Sequence, residues 1–201
     1  MCGITGIINF NNAPISENVL IGMSNALSHR GPDDTGVYIN KIKTAGLAHK
    51  RLSIIDPSSA GHQPMCNEDG TLWITYNGEI YNYSELRNRL KNSGHIFKSN
   101  SDTETIVHAY EEWGIEALLR KLRGMFTFAI YDTKSQRLII ARDRLGIKPI
   151  YYSHNNDTVI FASEIKAILK SNSILKKRDF QSAGLFLLHG SIPAPKTIYK
   201  E

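Results

Sequence analysis

The residue of this chain that could do chemistry unaided is the second. A cysteine directly behind the initiator methionine, in Met1-Cys2-Gly3-Ile4-Thr5-Gly6-Ile7, becomes N-terminal when Met1 is removed, and it then carries a thiol and a free α-amine on one residue. With ordinary pKa values of about 8.5 for the thiol and about 7.7 to 8.0 for the amine, both exchange protons near neutral pH. One residue then supplies nucleophile and base. The competing reading of Cys2 is a small buried residue that happens to stand second. Gly3 is expected to let other backbone approach the sulfur, and Gly6 to leave room inside a buried strand over residues 4–10.

The elements that must position this thiol can be read in outline. Ser16 opens a helix with Val19, Leu20, Met23 and Leu27 on one face, ending near His29. Arg30-Gly31-Pro32-Asp33-Asp34-Thr35-Gly36 reads as a polar loop, functional or merely connecting, before a short strand at 37–39. Strand patterns follow at 44–50 and 51–55, then a long loop over 56–70 containing Gly61-His62-Gln63-Pro64, which fits a binding loop or lid and whose histidine and glutamine could shape a pocket. A strand over 71–76 runs into Asn77-Gly78-Glu79, where Asn-Gly is a turn dipeptide expected to close it.

Asn82-x-x-Glu85 and Ser101-x-x-Glu104 have the capping-box pattern and predict helices over 83–91 and 102–113, the second stopped by Gly114 and followed by a short helix over 115–122. A meander of strands at 125–131, 137–141, 150–154 and 158–162 comes next, then helical segments at 164–170 and 179–189. The segment Arg142 to Pro149 reads as a structural turn. Antiparallel strands with helices grouped before and after them predict an α+β layered domain.

Composition narrows the function classes. The 201 residues suffice for one sizeable domain, and 41% hydrophobic with 21% charged residues is ordinary for a globular protein. The net charge of +5 is spread over the chain, with Lys176-Lys177-Arg178 its densest run, so it reads as solvated surface and no nucleic acid is expected. Two cysteines without paired spacing predict a reducing, cytoplasmic setting, and the N-terminus has neither a signal-peptide pattern nor a membrane span. The seven histidines, His29, His49 and His62 among them, show no metal-ligand spacing, so they read as packing or surface groups and no metal is expected. Cys66 reads as a bystander. Residues 191–201, with Pro193-Ala194-Pro195, have linker character. They predict that this is a fragment, a domain over 1–190 followed by the start of a connection to another.

Six motifs in order carry a resemblance: the Met-Cys-Gly-Ile-Thr-Gly start, His29-Arg30-Gly31-Pro32-Asp33, Arg51-Leu52-Ser53-Ile54, Tyr76-Asn77-Gly78-Glu79-Ile80-Tyr81-Asn82, Ser101-Asp102-Thr103-Glu104 and Arg142-Asp143-Arg144-Leu145-Gly146-Ile147-Lys148-Pro149. Together they resemble the glutaminase domain of the glutamine-hydrolysing asparagine synthetases, over residues 1 to about 199. The resemblance implies a class II glutamine amidotransferase with the N-terminal-nucleophile hydrolase fold: a four-layer sandwich of two antiparallel β-sheets between helical layers.

It also implies roles. Cys2 is the nucleophile. The Asn77 side chain and the Gly78 N–H form the oxyanion hole, Arg51 binds the α-carboxylate of glutamine, and Glu79 and Asp102 bind its α-ammonium. Glutamine is then cleaved through a Cys2 thioester to glutamate and ammonia, the Cys2 amine moving the proton. The ammonia is expected to serve a C-terminal synthetase domain that amidates aspartate with ATP and magnesium. The Ser-Gly-Gly-x-Asp-Ser loop of that domain's nucleotide site is absent from this sequence, so no cofactor is expected within the glutaminase domain itself. The family's tendency to dimerise makes a homodimer a further expectation. Two alternatives stay open: the glutaminase domain of a sister amidotransferase with another acceptor, and a catalytically idle interaction domain, which a chain retaining Met1 would be.

Overall fold

A computed structural model describes residues 1–174 and 176–200. In chain order the first elements are β1 (Gly3–Asn9), α1 (Glu17–Asn25), β2 (Asp34–Ile39), β3 (Ala45–Arg51), β4 (Met65–Cys66) and β5 (Leu72–Ile80). Then come α2 (Tyr83–Asn92), α3 (Asp102–Lys121), β6 (Gly124–Asp132), β7 (Arg137–Arg142), β8 (Tyr151–His154), β9 (Thr158–Ala162), α4 (Ile165–Ile168) and α5 (Phe180–His189). The strands form a five-stranded sheet in the order β2-β3-β1-β9-β8 and a four-stranded sheet in the order β4-β5-β6-β7. Every strand pair is antiparallel.

Side-chain alternation along the strands sorts the apolar residues into three cores. Ile4, Ile8, Leu47 and Phe161 of the first sheet meet Ala129 and Tyr131 of the second between the two sheets. On the outer face of the first sheet, Ile7, Ala48 and Ile160 pack under Leu20, Met23 and Leu27 of the α1 region and Ala167 and Ile168 of α4 and its end. On the outer face of the second, Ile74, Tyr76, Phe126 and Phe128 pack under Leu86 and Leu90 of α2 and Ile106 of α3. Helix, sheet, sheet, helix is the four-layer sandwich expected.

Several local expectations are corrected. The Asn77-Gly78 pair closes nothing: β5 runs through it to Ile80, because pairing with β6 continues as Asn77↔Thr127 and Gly78↔Phe126. A Cβ on Gly78 would strike the backbone of Met125 and Phe126, so glycine here answers a close approach and not a turn. The strand expected over 51–55 stops at Arg51, since Leu52 turns its N–H to the Cys2 sulfur and Ser53 turns its own to Asp33. Gly3 makes room for the Leu27 side chain and not for backbone.

Helix ends differ too. Helix α1 ends at Asn25, short of His29. Ser101 does cap α3, accepting from Thr103 N at 3.1 Å, but Glu104 binds the N–H groups of Lys98 and Ser99 instead of closing the box. Asn82 caps nothing, because its side chain joins Lys121 O and Arg123 N across to the end of α3. The break expected at Gly114 is present: its φ of 71° is non-helical, and helix resumes beyond it to Lys121.

Candidate active site

The register of the first sheet builds the site. Gly3 pairs with Lys50 and Arg51 with Asp34, so Cys2 emerges opposite Arg51 where β1, β2 and β3 end together. Leu52 N–H donates to the Cys2 sulfur at 3.3 Å, and the thiol faces Leu52 O at 3.6 Å. The Cys2 carbonyl accepts from Arg30 Nε at 2.9 Å, and Arg30 is itself held by Glu164 at 2.9 Å. Burial opposes ionisation of Glu164, but hydrogen bonds from Arg30, His29 and Lys166 outweigh it and hold this carboxyl at about 2. The backbone on both sides of the thiol is thereby fixed. Burial pushes the thiol above its ordinary value, with the Leu52 N–H offsetting part of the rise, so at neutral pH the sulfur is protonated and needs a base before it attacks.

Beside Cys2 lies a cleft of about 230 Å³, lined by all six residues singled out from the sequence. That volume is below the ~300–1,000 Å³ of sites for drug-sized molecules and suits one amino acid. Arg51 is buried, its guanidinium donating to Ser58 O and Asp56 O and lying against Gly61, where no Cβ would fit. Two of five donors are thus used, and the remaining three can meet a carboxylate. The 56–63 segment is therefore a wrap around this guanidinium.

The edge of β5 carries the polar part of the cleft. Phe126 turns both its N–H and its C=O to Asp143, so Gly78 opposite it makes no ladder bonds with β6. By the same alternation the N–H groups of Tyr76, Gly78 and Ile80 all point off this edge. Gln63 Oε1 accepts from Tyr76 N at 2.8 Å and Asp102 Oδ2 from Ile80 N at 3.0 Å, while the Gly78 N–H between them has no partner among the described residues. Asn77 is 2% exposed, and its Nδ2 is buried without a hydrogen-bond acceptor among the described residues. Buried donors are rarely left so. Two adjacent unpaired donors beside a thiol form a place where negative charge on oxygen would be stabilised.

Asp102, the first residue of α3, is buried and takes the Tyr76 hydroxyl on Oδ2 at 2.7 Å. Burial raises its pKa above the ordinary 3.8, more than the bonds from Tyr76 and Ile80 lower it, so this carboxylate lacks a cation. The same burial, with the Asp102 charge, puts the Tyr76 hydroxyl well above its usual range. Glu79 is exposed at the rim. Gln63, expected among the residues that shape a pocket, lines the cleft and ties β5 to α3 through Thr103 Oγ1 at 3.0 Å, and Lys148, which the sequence places only in a turn, is buried and lines the cleft too. The turn expected at Lys148 is there as well: the Asp143 carboxylate accepts the N–H groups of residues 145, 147 and 148. Of the histidines, His49 is buried neutral, its pKa lowered to about 4 by burial, and donates Nε2 to Tyr76 O, while His62 pairs with Asp34.

Two facing antiparallel sheets between helical layers, in this strand order, are the architecture of the N-terminal-nucleophile hydrolase fold. Solved structures agree on the fold: the glutamine phosphoribosylpyrophosphate amidotransferase of B. subtilis superposes with a TM-score of 0.70 at 21% identity, over 85% of this chain and 44% of that one. A structure described as the allosteric regulatory enzyme of purine biosynthesis also gives 0.70, at 22% identity. A glutamine amidotransferase domain model matches residues 1–201, and the chain belongs to that family. Similar curated proteins include asparagine synthetase [glutamine-hydrolyzing] 2 of Bacillus subtilis, 47% identical over 84% of this chain and 22% of its own length. Asparagine synthetase [glutamine-hydrolyzing] 2 of Arabidopsis thaliana is 45% identical over 84% of this chain and 28% of its own length. The chain thus spans less than half the length of these relatives.

Proposed function

We propose that this domain hydrolyses glutamine to glutamate and ammonia through Cys2, and that the ammonia serves ATP-dependent amidation of aspartate in a further synthetase domain like that of its relatives. The observation that carries the reading is the unpartnered Asn77 Nδ2, buried in a cleft that also holds Cys2, Arg51 and Asp102. Glutamine has a carboxylate for the free donors of Arg51 and an ammonium for Asp102 and Glu79. Its carboxamide then lies toward Cys2, with the carbonyl oxygen toward Asn77 Nδ2 and Gly78 N–H.

In this cycle Met1 is first removed, which turns the Cys2 backbone nitrogen into an amine. The sulfur attacks the carboxamide carbon while the thiol proton passes to that amine. The tetrahedral oxyanion is held by Asn77 and Gly78; the C–N bond breaks, the amine returns the proton to the departing nitrogen, and ammonia leaves a thioester. Water attacks the thioester carbon, the amine takes its proton, and glutamate departs as the thiol is restored. Two features support a partner domain. The relatives are much longer than this chain, and α5 presents Phe180, Phe186, Leu187 and Leu188 to solvent, an apolar face of the kind a neighbouring domain covers. No helix among the described residues is long and apolar enough to cross a membrane, and both cysteines are free, which suits the reducing cytoplasm that a nucleophilic thiol needs.

The test is glutamate release from glutamine by protein whose loss of Met1 is verified by intact mass, beside a Cys2→Ala control. Release abolished by the substitution is expected. Folded, processed protein that releases none would overturn the reading in favour of an idle interaction domain.

A further inference from the structure

On the outer side of the second sheet, away from the cleft, a second group of side chains converges. Glu68 lies in the turn between β4 and β5, His95 follows α2, and His108 and Glu111 sit three apart on α3, one turn of the same face. Each brings a ligand atom within 4.8 Å of the others. His108 is 1% exposed and, among the described residues, neither of its ring nitrogens makes a hydrogen bond. Carboxylates are nonetheless close: Glu68 Oε2 is 3.0 Å from Nδ1 and Glu104 Oε1 is 3.6 Å from Nε2, both placed so that no hydrogen bond forms.

Short contacts that are not hydrogen bonds are what ligand atoms around a common cation show. At bond lengths of about 2.0–2.2 Å, the edges of a tetrahedral zinc site measure roughly 3.3 Å. Glu68 Oε2 lies 3.0 Å from His108 Nδ1, close to such an edge, while its other oxygen, Oε1, meets His95 Nδ1 at 3.2 Å in a hydrogen bond that an ion would replace. The outer partners fit as well. Histidines that bind metal through one nitrogen usually point the other at a carboxylate, and here Glu112 Oε2 meets His95 Nε2 at 3.3 Å. Asn67 Nδ2 holds one oxygen of Glu111 at 3.0 Å, which leaves the other for the centre. Glu68 and Glu111 are exposed, giving the site an entry path and the freedom to close on an ion.

We propose that Glu68, His95, His108 and Glu111 form a binding site for a divalent transition cation of zinc type. Two imidazoles with two carboxylates favour such an ion over magnesium or calcium, which take all-oxygen sets. The ion pins α3 to the β4–β5 turn and to the chain leaving α2, and so joins three segments of the outer layer. It does not depend on the glutaminase reading.

The test uses untagged 201-residue chain stripped with a chelator, then titrated with Zn²⁺ alone in competition with a chromogenic chelator, and separately with Co²⁺. The wild type should take up one equivalent, show the visible band of tetrahedral Co²⁺, and melt at a higher temperature with metal than without. Glu111→Gln, at an exposed position, and His95→Ala, at a half-buried one, should bind at least about 10- to 100-fold more weakly. His108→Ala is a poor test by itself, since its burial could cost folding. Absence of saturable one-equivalent binding, equal affinity in the variants, or equal displacement of Zn²⁺ by millimolar Mg²⁺ would overturn the proposal.

Discussion

Replacing Asn77 by alanine separates a catalytic donor from a structural one. In the resting protein Asn77 Nδ2 is buried with no acceptor, and an unsatisfied buried donor costs about 1–3 kcal/mol. Truncation removes that cost and loses a comparable amount of packing, so net stability should move by no more than ~1 kcal/mol, near the centre of ordinary substitutions. If the same NH₂ meets the tetrahedral oxygen, its loss should lower kcat by about 10² to 10³, or ~2.7–4 kcal/mol of transition-state stabilisation. KM should change little, since the interaction tightens after the ground state. Glutamate release measures the first quantity and urea unfolding the second. A kcat within about fivefold of wild type would refute the oxyanion role, because such a donor is worth more than ~1 kcal/mol. An equal loss of activity and of several kcal/mol in stability would refute the claim that the donor is idle in the fold. Gly78 offers no such clean test, since a Cβ there collides with the backbone of β6.

Arg51→Lys keeps the charge but loses the planar fork, and should raise KM for glutamine by roughly 10- to 100-fold with a smaller change in kcat; an unchanged KM would remove Arg51 from the carboxylate site. Asp102→Asn should raise KM while stabilising the fold near neutral pH. Because the folded pKa of Asp102 is raised above 3.8, the folded state holds this proton more tightly than the unfolded, and ionisation costs stability as pH rises through that window. The advantage of the asparagine variant should therefore appear at pH 7 and vanish below about pH 3.8 in urea melts; a variant less stable at pH 7 would contradict this. Protein retaining Met1 should fold normally and release no glutamate, and its Cys2, raised by burial, should alkylate slowly at pH 7 and faster as pH climbs past about 8.5.

What could be read from the sequence depended on how local its cause was. The layered α+β architecture was legible, because alternation over β5, β6 and β9 and the apolar stripe of α1 are patterns within one segment. The resemblance selected six site residues, and all line the one cleft. The misreadings share a cause: a distant partner overrode a local preference. Asn77-Gly78 has turn chemistry, but β6 lies alongside and keeps it extended; residues 52 and 53 look like strand, but Cys2 and Asp33 draw their N–H groups out of the sheet. Gln63 and Lys148 reach the cleft from a loop and a turn whose composition says nothing of their direction. The proposed metal ligands come from positions 68, 95, 108 and 111, three segments with no recognisable spacing, so the reading that the histidines lack ligand spacing was a statement about sequence distance alone.

Buried side-chain atoms without a partner also occur at Ser24, His49, Arg87, Thr105 and His108; what sets the cleft apart is that unmet groups of complementary kinds meet there. The turn after β7 shows how thoroughly this chain pairs polar groups where nothing must bind: Asp143 takes the N–H groups of residues 126, 145, 147 and 148 on one carboxylate. A short way off, the cleft keeps an unmet amide on Asn77, an unmet N–H on Gly78, three free donors on Arg51 and a carboxylate on Asp102 whose ionisation burial disfavours. Two of these want an anionic or carbonyl oxygen, one wants a carboxylate and one wants a cation. A zwitterion with a terminal amide meets all four at once, whereas a simple amide leaves Arg51 and Asp102 unanswered. The proposed selectivity for an amino acid would thus follow from what the folded chain leaves unpaired, and the polar cost carried at rest would be relieved by such a substrate.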